Sequence, residues 1–139
     1  EKELFQILIL EDDVVFDNDF VSKFEEWYPQ VPVDWDMLYL GGNNNGLKVQ
    51  QISENIGRVT DMFATHAYAL KHTIFKRILR ELPKPGYQVD VLLTNIQKEC
   101  NAYCFIPLLA FQKEGYSDVL KSNVDYDFEL KRNHDKPIV

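Results

Sequence analysis

Three consecutive carboxylates, Glu11, Asp12 and Asp13, follow directly on an apolar run that spans residues 4–10. Like charges this close repel one another, and burying them without a partner is costly. A folded chain therefore keeps them in water, at the start of a helix, or around a cation. Asp17 and Asp19 come soon after, and their side chains are typical of residues that begin a helix.

Three interpretations of this acidic turn remain open from the residues alone. The first is a solvated turn whose Asp residues cap the next helix. The second is a receiver-like magnesium-binding domain of phosphotransfer systems, whose first strand also ends in paired acids. The third is a site for Mn²⁺ or Mg²⁺ that carries the diphosphate of a nucleotide-sugar, because hard divalent ions prefer carboxylate oxygens and keep positions open for phosphate.

The receiver interpretation requires a phosphate-accepting Asp at the end of a later strand in the same cleft. The comparable strand, at residues 36–40, ends in Leu40 and runs into Gly41 and Gly42. No carboxylate follows it, so the sequence disfavours phosphotransfer.

The elements that must position these residues follow from apolar spacing and from Pro and Gly. The run at 4–10 is short and almost wholly apolar, which predicts a central strand of a mostly parallel sheet covered on both faces. A helix is expected up to residue 28, and further helices at 73–82 and 89–99. Extended segments are expected at 36–40, at 58–70 with a break near Ala64, and at 103–111 with a break at Pro107.

Composition limits the function classes. The chain has 139 residues, of which 45% are hydrophobic, and this predicts one domain. The net charge of −7 disfavours nucleic acid as a partner. No apolar run is long enough for a membrane span, so a cytoplasmic location is expected by default. Cys100 and Cys104 are predicted to be free thiols. From about residue 119 the chain becomes polar, which predicts a tail at 119–139 behind a domain at 1–118.

Five segments resemble, in the same order, the conserved blocks of glycosyltransferase family 25, which includes bacterial lipopolysaccharide sugar transferases and collagen galactosyltransferases. The segments are LILEDDVVFDNDF, DWDMLYLGGNN, THAYALKHTIFKRIL, QVDVLL and FQKEGYSDV. The resemblance covers roughly residues 4–118. Each is weakly specific alone, and their order is what makes the resemblance informative.

The resemblance implies an α/β fold, namely a GT-A (Rossmann-like) sandwich that lacks the N-terminal nucleotide-binding βα units of the family. It implies an inverting, metal-dependent transfer of a hexose, galactose or glucose, from a UDP-sugar to a saccharide or hydroxyl acceptor, with Mn²⁺ or Mg²⁺ as cofactor. The alternative is a catalytically inactive GT-A-like fragment that serves as a binding or scaffold module.

The resemblance also assigns residues. Asp13 is the expected metal ligand and Glu11 its partner. Asp90 is expected to be the general base that takes the proton of the acceptor hydroxyl. Donor or acceptor contacts are expected at Asp12, Trp35, Asp36, Gly41, Gly42, Asn43, Thr65, His66, Tyr68, Gln112 and Ser117. Structural roles stay open beside these: core packing for Trp35 and His66, a turn for Asp36, and a helix cap for Asp90.

Overall fold

The computed structural model describes residues 3–44, 46, 48–82, 88–113, 115–117 and 122–124, the last two segments as backbone only. This part of the chain contains three α-helices: α1 (Phe20–Trp27), α2 (His72–Glu81) and α3 (Val89–Gln97). Its ten strands are β1 (Gln6–Leu10), β2 (Val14–Phe16), β3 (Met37–Asn43), β4 (Gln50–Gln51), β5 (Ile56–Arg58), β6 (Phe63–Lys71), β7 (Ala102–Phe105), β8 (Ala110–Gln112), β9 (Gly115–Ser117) and β10 (Ser122–Val124).

Six strands form one mixed sheet in the order β1-β6-β3-β7-β5-β4. Only β3 and β7 run parallel, and the other four pairs are antiparallel. Two short antiparallel pairs, β2–β8 and β9–β10, lie outside this sheet. The fold is therefore mixed α/β, as the sequence predicted.

The prediction that β1 is a central strand of a mostly parallel sheet is wrong. Within the described chain β1 lies at the edge of the sheet and pairs antiparallel with β6, Leu10 standing opposite Ala67. Its alternate side chains are exposed, including Leu8 at 52%. A short apolar run indicates a hydrophobic strand. It does not indicate which strands lie beside it or in which direction they run.

Helices cover both faces of the sheet. Met37 and Tyr39 of β3 face a core formed with α2 and α3, whereas Leu38 and Leu40 face a second core formed with α1. This division follows from the alternation of side chains along a strand. The six-stranded sheet is thus the middle layer of three.

The helices lie close to their predicted positions because each has a clear apolar stripe. In α2 the buried residues are Ile74 and Ile78, one turn apart. The helix α1 begins after Asp17, whose carboxylate accepts hydrogen bonds from the Asp19 amide and from Lys23. The bond from Lys23 is the main reason that the pKa of Asp17 lies below its ordinary value. The longest described helix, α2, has ten residues, and no helix in the described part of the chain could cross a membrane.

The two thiols are free, as predicted, and both are shielded. Burial raises the pKa of Cys100 to about 11 and that of Cys104 to about 12, from an ordinary value of 9.0. Native protein at about pH 8 should therefore resist alkylation by iodoacetamide, because the thiolate is the nucleophile. Mass spectrometry with and without urea checks this, and rapid labelling of native Cys104 would contradict it.

Because of the same pKa shifts, the stability of the fold should depend on pH. An unfolded thiol loses its proton at lower pH than either folded thiol, so the free energy of unfolding should fall as the pH rises above about 9. Urea titrations on either side of that pH measure the change. Cys104→Ala is the matched variant: it lacks one of the two thiols, so its free energy of unfolding should fall less above about pH 9.

The polar tail predicted at 119–139 falls mostly on residues 119–121 and 125–139, which lie outside the described residues. The backbone pairing of β9 with β10 crosses the predicted boundary at residues 118–119.

Candidate functional site

The three acids form the turn between β1 and β2. The Glu11 amide donates to the carbonyl of His66 at 2.9 Å, which extends the pairing of β1 with β6 by one residue. On the other side of the turn, the Lys113 amide donates to the carbonyl of Asp13 at 2.8 Å. The turn is therefore held from both sides, by β6 and by the end of β8.

Two of the three carboxylates converge on one side chain. The Gln112 amide nitrogen Nε2 lies 3.5 Å from Glu11 Oε2 and 3.3 Å from Asp13 Oδ2. The hydroxyl of Thr65 donates to the other Glu11 oxygen, Oε1, at 2.6 Å. The structure thus brings together four predicted site residues from three segments of the chain, whereas the Asp12 side chain is exposed.

One oxygen of this cluster is buried without a partner. Asp13 Oδ1 is screened from solvent, and no hydrogen-bond donor among the described residues reaches it. A desolvated carboxylate oxygen without a donor or a cation costs free energy. A bound cation would remove this cost, so the orphaned oxygen is an observation in favour of a metal site.

The oxygen atoms present suit a hard divalent cation. Mg²⁺ is usually held by one or two carboxylates and completes its coordination with water and phosphate oxygens. Glu11 and Asp13 supply two carboxylates, and Gln112 carries an amide oxygen. Among the described residues no group of three or more His, Cys, Asp or Glu side chains is placed to hold a metal ion. Any ion held here would have to complete its coordination with ligands other than these side chains.

Thr65 reaches Glu11 because the start of β6 is irregular. Ala64 has φ of 60°, in the left-handed region that residues other than glycine seldom adopt. Opposite it, the β3–β6 pairing shifts register between Tyr39 and Gly41 and again between Gly41 and Asn43. Such bulges often redirect a side chain beside a functional site. The strand β6 continues through Ala64, so the position of the predicted break is irregular without ending the strand, and the predicted segment at 58–70 is interrupted at residues 59–62 instead.

His66 is fully buried, at 0% exposure, with Nε2 3.4 Å from the carbonyl oxygen of Ala110. The ring fits because position 41 is glycine: a Cβ there would lie 2.2 Å from His66 Nε2 and 2.4 Å from that carbonyl oxygen. Gly42 is similar, since a Cβ there would lie 2.5 Å from the sulfur of Met62. Gly41 and His66 thus pack against each other, Gly42 packs against Met62, and Asn43 is half-buried at the end of β3.

Tyr68 connects the acidic turn to the core. Its ring stacks on Tyr39 with centroids 5.8 Å apart. Burial raises the pKa of Tyr68, and the negative charge of Glu11 adds to the rise. The Tyr68 phenol is therefore neutral around neutral pH and shares the α2–α3 face of the sheet with the Glu11 charge.

Asp90 lies in the first turn of α3, where the helix dipole favours a negative charge. Its carboxylate accepts a hydrogen bond from the Val91 amide at 2.7 Å. Asp90 is half-buried on the same face of the sheet as Tyr39, whose pKa is raised chiefly by burial and slightly by the Asp90 charge. The structure thus places Asp90 on the α3 side of the site, outside the Glu11–Gln112 cluster.

Sequence reasoning missed Gln97, which is 1% exposed. Its amide nitrogen donates to the Tyr39 hydroxyl at 2.7 Å and to the Met62 carbonyl at 2.8 Å, and its oxygen accepts from the Met62 amide at 2.8 Å. It fixes the turn that leads into β6. The available signal was a polar residue beside the apolar positions Leu93 and Ile96 of the α3 stripe.

Two predicted contacts are not brought to the cluster. Trp35 is buried in the α1 core, with Lys71 over its ring. The Asp36 carboxylate accepts from the hydroxyl of Thr73 and from the amide of Asn101. These residues precede β3, about 16 Å along the strand from Gly41 at roughly 3.3 Å per residue. For Ser117 the structure gives only a backbone position in β9, and its side chain lies outside the described residues.

Comparisons with protein-family models, with curated proteins and with solved structures give no match to this chain.

Proposed function

We propose that this chain is part of a metal-dependent glycosyltransferase with a GT-A fold, and that it moves a hexose from a UDP-sugar to a saccharide or other hydroxyl acceptor. The observation that carries the proposal is the meeting of Glu11 and Asp13 at Gln112, with a buried oxygen of Asp13 left without a donor. The ordered family blocks in the sequence give this cluster its interpretation.

In this proposal Asp13 and Glu11 hold Mn²⁺ or Mg²⁺ at the end of β1. The bound ion supplies Lewis-acid stabilisation of the departing nucleoside diphosphate. Thr65 keeps Glu11 oriented toward the site through its 2.6 Å hydrogen bond. Tyr68 and the Tyr39–Gln97 pair form the apolar and neutral wall behind the carboxylates.

Asp90 is the proposed general base. The carboxylate lies at a helix N-terminus, which favours its ionised form, and the half-buried position leaves it accessible to an acceptor. It would take the proton of the acceptor hydroxyl as that oxygen attacks the anomeric carbon from the face opposite the diphosphate. Asp90→Asn should then abolish transfer and leave cation binding unchanged.

A receiver-like domain is not favoured. Its phosphate-accepting Asp would have to follow a later strand in the same cleft, and β3 ends in Gly41, Gly42 and Asn43. In addition, the acidic strand β1 pairs antiparallel with β6.

The test of the cation site is Mn²⁺ binding by electron paramagnetic resonance, with and without UDP. We expect Asp13→Asn to weaken Mn²⁺ binding at least about tenfold, because it removes one of two charged ligands. Asp19→Asn is the matched control: it removes the same charge from an exposed helix-start residue that makes no side-chain cap. Equal Mn²⁺ affinity in wild type and Asp13→Asn would contradict the assignment.

The second measurement separates an enzyme from a binding module. Release of UDP from UDP-galactose or UDP-glucose in the presence of Mn²⁺, lost in Asp90→Asn, is expected for the enzyme. Mn²⁺ and UDP binding that is indifferent to Asp90→Asn, with no UDP release, would support the scaffold alternative instead.

A further inference from the structure

Gln112 makes an unusual pair of contacts for a single amide. Its nitrogen is within hydrogen-bond distance of carboxylates from two different residues, at 3.5 Å from Glu11 and 3.3 Å from Asp13. The backbone of Gln112 is fixed, because β8 pairs with β2 and Gln112 stands opposite Val14. Only its side chain is free to change the contacts that it makes.

The chemistry of the partners decides which end of the amide faces them. An ionised carboxylate only accepts hydrogen bonds, whereas the NH₂ group has two hydrogens and the carbonyl has none. The NH₂ group can therefore give one hydrogen to each carboxylate. This arrangement offsets the repulsion between two negative groups with a neutral side chain.

The remaining carboxylate oxygens differ in their surroundings. Glu11 Oε1 already accepts from Thr65, whereas Asp13 Oδ1 is buried with no donor among the described residues. The Gln112 amide therefore satisfies the cluster only in part. A divalent cation held by the Asp13 carboxylate would give that group the partner it lacks, and it would compete with the NH₂ group for Glu11 and Asp13.

We infer that Gln112 occupies two states. When no ion is bound, its NH₂ group bridges Glu11 and Asp13 in the place of the cation. When an ion binds, the Gln112 side chain rotates and its carbonyl oxygen turns toward the ion. This inference rests on the proposed cation site. The last torsion of a Gln side chain has broad, roughly two-fold minima, so exchanging the amide ends needs no movement of the backbone. The exchange removes two donors that would repel a cation and adds a hard oxygen ligand.

The amide also sets the charge of the site. The carboxylates of Glu11 and Asp13 and the neutral Gln112 amide together carry two negative charges, which a divalent ion balances. The site with its ion is then neutral, so it does not repel the negative diphosphate. A third carboxylate at position 112 would change both states: it would remove the bridging donors without the ion, and it would add negative charge against the diphosphate with the ion bound.

The test is a titration of the 139-residue chain with Mg²⁺, followed by NMR of the side-chain amides. The Gln112 NH₂ signals, identified by their loss in Gln112→Glu, should shift and exchange faster with water as the site saturates. Mg²⁺ affinity should fall about tenfold in Gln112→Leu. The control Gln50→Leu, an exposed change in β4, should leave the affinity unchanged.

Gln112→Glu gives a second readout that does not depend on activity. Its melting temperature should be below that of wild type without Mg²⁺ and should rise more than that of wild type when Mg²⁺ is added. If wild type binds Mg²⁺ but Gln112→Leu binds it equally, or if the Gln112 amide protons keep their protection at saturation, the inference is wrong and the cation site stands. If wild type shows no saturable Mg²⁺ response at all, the cation site is wrong, and the inference falls with it.

Discussion

Gly41→Ala should lower the free energy of unfolding by at least about 3 kcal/mol, at the upper end of what overpacking costs. The new Cβ would lie 2.2 Å from the buried His66 ring and 2.4 Å from the carbonyl oxygen of Ala110. The ring is 0% exposed and the carbonyl belongs to the backbone of β8, so neither can move aside freely. Relief requires β8 to shift away from β3.

Urea unfolding followed by circular dichroism measures the effect. Ser22→Ala, an exposed change in α1, is the control and should stay within about 0.5 kcal/mol of wild type. A folded Gly41→Ala variant should also bind Mn²⁺ more weakly, because Gln112 lies two residues after Ala110 in the displaced strand. A loss of stability below about 1 kcal/mol would show that the three strands are not packed as described.

Gln97→Leu should cost about 3 kcal/mol, for a different reason. Leucine has a suitable volume but leaves the Met62 amide buried without its acceptor and removes the Gln97 donor from the Tyr39 hydroxyl. The Met62 carbonyl also loses its 2.8 Å donor and keeps only the Thr94 hydroxyl at 3.4 Å. Each such group costs about 1–3 kcal/mol. The control is Gln51→Leu, which removes an exposed amide hydrogen bond, made to the Glu54 carbonyl at 3.3 Å, and should change stability little.

Gln97→Glu separates hydrogen bonding from volume. The carboxyl keeps the acceptor for the Met62 amide but loses the amide donors, and burial would raise its pKa above the ordinary value. The folded state then holds its proton to higher pH than the unfolded state. The free energy of unfolding should accordingly fall as the pH rises through about 4.3 and beyond. A pH-independent difference between wild type and Gln97→Glu would argue against burial of this position.

Local sequence patterns predicted most of the elements. The apolar stripes of α2 and α3 correspond to what the structure shows, whereas the extended segment predicted at 58–70 is interrupted at 59–62 and not at Ala64. The place of β1 was not predictable in the same way, since its apolar residues suit an inner or an outer strand equally. Strand neighbours depend on long-range pairing, which no local pattern records.

The candidate site was predictable only through the order of the family-like blocks. Glu11 and Asp13 were evident from their charge, but nothing in the spacing brings Gln112 to them. His66 and Gly41 show the opposite case, in which residues expected at a ligand pack against each other. Asp36 ties the start of β3 to α2, because its backbone and side chain together satisfy Asn101 and Thr73.

The contact between Gln112 and Glu11 joins residues 101 positions apart, and β2–β8 spans the widest sequence separation of the described strand pairs. Closing so long a loop costs chain entropy before any local contact offsets it. An ion bound between these two distant parts of the chain would therefore stabilise the folded state, in addition to its part in the reaction. Its binding energy would add directly to the folding equilibrium, so occupancy of the site would report whether the whole chain had folded.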